Sequence, residues 1–133
     1  MGPWLGFAAF AGVKYLGYSA AAWRLNTVYS NSRRSAWLVG AARTGIGLVI
    51  GIAYGTLWMF RAPAVNPVAI FFLLLLPIRM IEWGVLLRWF YEPGFLLARR
   101  AWMAAGLGTV WSYLLDAVAV AAALVTPGGR WLC

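Results

Sequence analysis

Five ionisable residues of this sequence, Lys14, Arg43, Arg79, Glu82 and Asp116, fall inside long apolar stretches. Two carboxylates among three cations could work as an acid and a base, hold a phosphate or another anion, or pass ions or protons. An ionisable group at mid-bilayer costs roughly 2.5–3.5 kcal/mol on insertion scales, so the five are expected to pair with one another rather than face lipid. Arg79 and Glu82 are three apart and share a helical face. Counted inward from the helix ends that carry the arginine-rich connections, Lys14 and Glu82 lie roughly nine residues deep, Arg79 and Asp116 roughly twelve to fifteen, and Arg43 about six. These depths predict an interhelical network in which Asp116 meets Arg79, Glu82 meets Lys14, and Arg43 approaches Glu82. Its formal sum is one positive charge.

Other reactive groups are scarce. The sequence has no histidine, which excludes imidazole acid–base chemistry and histidine-ligated metals or haem from this chain. Cys133 is its single cysteine, so an intrachain disulfide, a thiolate cluster or a Cys–His dyad cannot form, and its position as last residue does not match a prenylation signal. No catalytic residue, metal ligand or cofactor site is assigned. Thr109, Ser112 and Asp116 form a polar stripe in which the hydroxyls are expected to solvate the carboxylate. Tyr15, Tyr18, Tyr54 and Tyr113 read as packing or interface residues.

The elements that must position these groups are helices in a membrane. The chain has 133 residues, 64% of them hydrophobic and 11% charged, with a mean hydropathy of +0.80; soluble domains are about 45–50% apolar and about a quarter charged. At about 20 residues per crossing, this length accommodates about four spans and almost no soluble domain. The expected fold is all-α: an integral membrane protein, a single membrane domain over 1–133, with a bundle of four transmembrane helices at about 3–23, 37–60, 67–91 and 101–126. The run 3–23 reads as a first span rather than a signal peptide, because a basic n-region is missing and Lys14 interrupts the apolar core. Arg24 to Ala36 reads as an exposed polar loop, 61–67 as a tight turn with two prolines, and 92–94 as a break. Pro77 is expected to kink the third helix, and Pro127 with Gly128 and Gly129 to stop the fourth. Gly47, Gly51 and Gly55, with Arg43 one turn earlier, line one face of the second helix and predict a packing seam.

Charge sets the orientation. Net charge is +8, but most arginines stand in short connections, a pattern of topology and anionic-lipid contact rather than of nucleic-acid binding. Arg24, Arg33, Arg34, Arg99 and Arg100 fall on one side, and Arg61 and Arg130 on the other. The positive-inside rule then places connections 24–36 and 92–100 in the cytoplasm and both termini outside, in a bacterial-type inner or plasma membrane. Trp4, Trp23, Trp37, Trp58, Trp89 and Trp102 fall near the predicted helix ends, where amphipathic rings favour the interface. Arg88 and Glu92, four apart, suit a surface pair.

Three functions fit this frame. The first is a small non-enzymatic subunit that packs through its glycine face and tryptophan-rich surface against other membrane subunits or further copies of itself. The second is an oligomeric transporter or channel that uses the midplane charges. The third is a lipid-handling enzyme with Glu82 or Asp116 as base and Arg43 or Arg79 on a phosphate. The first is preferred, since charges that pair can fix register among helices whose apolar faces discriminate poorly.

Overall fold

The computed structural model describes residues 4–29, 35–61, 67–91, 93–94 and 98–125. It is all-α, with helices α1 (Trp4–Val28), α2 (Ala36–Arg61), α3 (Pro67–Phe90) and α4 (Arg99–Val125). Three of them, Ala36–Arg61, Val68–Phe90 and Arg99–Val125, are long and apolar enough to cross a membrane. α1 is 25 residues long, but Lys14, Arg24, Asn26 and its tyrosines lower its apolarity below theirs.

α1 outlasts the apolar run that predicts it. Arg24 to Val28 is helical rather than a loop, because Thr27 returns its hydroxyl to the Arg24 carbonyl at 2.6 Å and the Tyr29 amide bonds the Leu25 carbonyl at 2.8 Å. Polarity marks where a helix leaves an apolar medium, not where its hydrogen bonds stop. α3 is helical through Pro77. Near that proline, Tyr54 donates to the Phe71 carbonyl and Tyr113 to the Phe72 carbonyl, each at 2.8 Å, which ties the first half of α3 to α2 and α4 through carbonyl lone pairs the helix leaves unused.

The helices form a bundle in which α1 packs on α2 and α4, and α3 on α4 and α2; the diagonals α1–α3 and α2–α4 make no close backbone approach among the described residues. Neighbours run antiparallel, as Arg43 opposite Glu82 and Tyr54 opposite Phe71 show for α2 and α3. The tightest approaches use small residues. A side chain at Gly40 would strike the Ser19 backbone, one at Gly17 the Leu115 side chain, and one at Gly108 the Trp83 ring. α4 offers a continuous buried stripe of Ala101, Ala105, Gly108, Ser112, Leu115, Ala119 and Ala123, spaced three or four apart. That period keeps one face on the neighbouring helices.

The predicted seam on α2 is not a seam within this chain. Gly47 is buried against Arg43 and Arg79, but a side chain at Gly51 or Gly55 would meet nothing within 4 Å. The reason lies in where burial stops: α2 is buried from Val39 to Gly47 and then opens, leaving Met59 and Phe60 exposed. Packing is dense in one half of the bundle and loose in the other, towards the Arg61 end.

Candidate functional site: a buried ladder of alternating charge

In the dense half, the helix register brings Lys14, Arg43, Arg79, Glu82 and Asp116 together as one ladder. Lys14 Nζ lies 2.5 Å from Asp116 Oδ1, and Arg79 Nη2 lies 2.9 Å from Asp116 Oδ2. Arg79 Nη1 then reaches Glu82 Oε2 at 3.1 Å, and Arg43 Nη2 reaches the same oxygen at 2.6 Å. The order is cation, anion, cation, anion, cation. All four helices contribute, α3 twice.

The lysine does not take the partner its depth suggests. Lys14 bonds Asp116 rather than Glu82, because α3 stands diagonally across the bundle from α1 whereas α4 is its neighbour. Antiparallel pairing puts residue 14 opposite 116, just as Tyr18 meets Ser112. Exposure peaks at Asp116 and falls from there to Arg43: side chains are 8% accessible at Lys14, 19% at Asp116, 6% at Arg79, 1% at Glu82 and 0% at Arg43. Asp116 is therefore the most exposed member of the ladder, and Arg43 the most enclosed.

Arg43 sits in an aromatic cage that its sequence position does not disclose. Its guanidinium carbon is 4.7 Å from the centroid of Tyr18 and 5.2 Å from that of Trp83, so the π-faces compensate part of its lost hydration. Ser112 is the hub below it, accepting from Trp83 Nε1 at 2.9 Å and from Arg43 Nη2 at 3.3 Å, with the Tyr18 hydroxyl also at 3.3 Å. The α4 hydroxyls thus do not solvate Asp116. Thr109 bonds the Ala105 carbonyl one turn back, and Ser112 is committed to the cage. Tyr18, Trp83 and Ser112 escape the charge-based reading because nothing in their own types marks them. The visible signal was the four-residue step between Lys14 and Tyr18, which puts both on the face that meets α4.

Chemically, the ladder is a set of paired carboxylates. Each touches two cations: Asp116 takes one on each oxygen, whereas Glu82 takes both on Oε2. Among the described residues no three of His, Cys, Asp and Glu gather. Not every donor is satisfied, however. Arg43 Nε, Arg43 Nη1 and Arg79 Nε are enclosed and meet no acceptor among the described residues.

The remaining predicted residues lie elsewhere. Arg24, Arg88, Arg99 and Arg100 are exposed, and all stand at the end of the bundle where α1 and α3 finish and α4 begins. There the Tyr91 hydroxyl donates to Asn26 Oδ1 at 2.8 Å, the Tyr29 and Tyr91 rings are 5.4 Å apart, and the Arg100 guanidinium lies 4.2 Å over Tyr29. Burial pushes the Tyr91 phenol up to about 12. Arg61 is exposed at the opposite end. Arg33, Arg34, Glu92, the stop at Pro127 and Arg130 lie outside the described residues. Compared with known proteins, the chain matches no family model, no curated protein and no solved structure.

Proposed function

We propose that this chain is a four-span membrane protein, with both termini outside, that acts as a non-enzymatic subunit of a larger assembly in a bacterial-type inner or plasma membrane. One observation carries the reading. The loose half of α2 presents Gly51 and Gly55 with nothing against them, beside exposed Leu57, Met59 and Phe60. Small residues at a membrane helix surface let a second backbone approach closely, which is what helix association in lipid requires. Pairing of both carboxylates inside the ladder favours a positioning role for the charges over the lipid-handling enzyme.

α1 serves as the fourth span in this reading. At 1.5 Å per residue its 25 residues reach about 37 Å, longer than a hydrocarbon core of about 30 Å. The charge that lowers its apolarity is turned inward onto Asp116, and exposed Leu5, Phe7 and Leu16 lie outside. The arginine-rich end faces the cytoplasm, where Arg24, Arg33, Arg34, Arg99 and Arg100 contact anionic lipid.

The test is assembly. Extracted in mild detergent, the native chain should elute as a complex with partner chains or further copies, and Gly51→Leu with Gly55→Leu should release a folded monomer. A wild type that is already a stable monomer after the mildest extraction would sink the proposal. A second reading, an oligomeric ion or proton path, is favoured by the graded exposure from Asp116 to Arg43. It requires liposome flux that Glu82→Gln and Asp116→Asn reduce; equal or absent flux in all three proteins removes it.

A further inference from the structure

We propose that Arg43 and Arg79 bind one small monovalent anion of the halide class in front of Gly47. The first support is charge. Three cations and two carboxylates leave the ladder one positive charge in excess, and an uncompensated charge in a low-dielectric interior is strongly unfavourable.

The second support is a set of donors that point at no acceptor. Tyr18 and Trp83 cover Arg43 by its faces, but the N–H groups of a guanidinium lie in its plane, so stacking leaves them unbonded. Arg43 Nη2 is taken by Glu82 and Ser112, whereas Nη1 and Nε of Arg43 and Nε of Arg79 are enclosed without a partner. Buried donors are almost always bonded, and exceptions of this kind mark an ion or a water. A water would satisfy the hydrogen bonds and leave the charge; an anion satisfies both.

Gly47 locates the site. A Cβ there would stand 3.0 Å from Arg43 Nη1 and 3.6 Å from Arg79 Nη1, so two like-charged guanidinium ends approach the backbone at a position that lacks a side chain. Glu82 Oε2 holds both arginines from one side only. The confined space selects a single-atom anion over a phosphate, and the excess of one selects a monovalent ion. Gly51 and Gly55 continue the same face towards the Arg61 end with nothing within 4 Å, which gives a small ion a route free of this chain's side chains.

The experiment is bromide titration of the purified full-length protein in detergent, with gluconate as the replacement anion so that ionic strength stays constant. Melting temperature and calorimetric binding are read together. The wild type should show a saturable rise in melting temperature with bromide and one binding event per chain. Gly47→Ala, which places a methyl where the donors converge, should weaken bromide binding about tenfold or more, as the loss of a charge-assisted hydrogen bond would. Lys14→Met, which brings the ladder's formal sum to zero while leaving both arginines, should weaken it likewise. Gly45→Ala, at a position with nothing within 4 Å, should bind as the wild type does. No saturable response in the wild type overturns the proposal, and full binding by folded Gly47→Ala and Lys14→Met overturns the assigned site.

Discussion

At the scale of single residues, Glu82 holds the arrangement together, because one of its oxygens joins Arg43 to Arg79. Glu82→Gln leaves two guanidinium groups facing each other without the charge between them. Breaking a buried pair from one side costs about 3–5 kcal/mol, whereas replacing both members by apolar groups is often neutral. The expected outcome is therefore a large loss of stability in Glu82→Gln and a smaller one in the double variant Arg43→Met with Glu82→Leu, read by unfolding in mixed detergent micelles. Equal losses would show that the arginine cage matters more than the pair. Tyr91 gives a second residue-scale expectation. Its phenol is raised from 10.0 to about 12 in the folded chain, so the fold holds that proton more tightly than the unfolded chain does. Its contribution is complete below about pH 10 and is lost as pH rises through about 12. Melting curves from about pH 9 to about pH 12, which bracket the ordinary tyrosine pKa of about 10, should fall more steeply for wild type than for Tyr91→Phe.

At the scale of elements, glycine has opposite meanings in different places. Gly40 and Gly108 are where α2 meets α1 and α4 meets α3, and any side chain there strikes Ser19 backbone or the Trp83 ring. Gly108→Val should destabilise the isolated chain by about 1–3 kcal/mol through overpacking. Gly51→Ala, with open space at its Cβ, should leave the isolated chain unchanged or stabilise it by up to about 1 kcal/mol, since alanine is the better helix former. The same unfolding assay ranks the two. If Gly51→Ala were the more damaging in a monomeric sample, the open face would have to be closed within the chain.

At the scale of the whole molecule, charge is distributed by end. The described end that gathers Arg24, Arg88, Arg99 and Arg100 is strongly basic, while the other carries Arg61. If both termini are outside, as proposed, Cys133, the single cysteine, should react in intact cells with a maleimide that cannot cross membranes. Labelling only after lysis would place the basic end outside instead. The ladder lies in the half of the bundle nearer the basic end, and the loose half carries the glycine face, so orientation also decides on which side a partner or an ion would approach.

The sequence by itself determined the all-α class, the positions of three apolar spans and the identity of the five charges that meet, because hydropathy and the cost of an unpaired charge act on residue types alone. It also located Gly47, Gly51 and Gly55 on one face, since helical period is a local property. Tertiary structure decided which charge takes which partner, because Lys14 reads depth from the sequence but reads neighbours from the order of helices around the bundle. It decided that the buried approaches use Gly17, Gly40 and Gly108 while Gly51 and Gly55 stay open, because a spacing marks a face and only packing says what lies against it. And it decided that Tyr18, Trp83 and Ser112 enclose Arg43, a cage built from residues whose types carry no charge and whose positions on α1, α3 and α4 become one place only when the chain is folded.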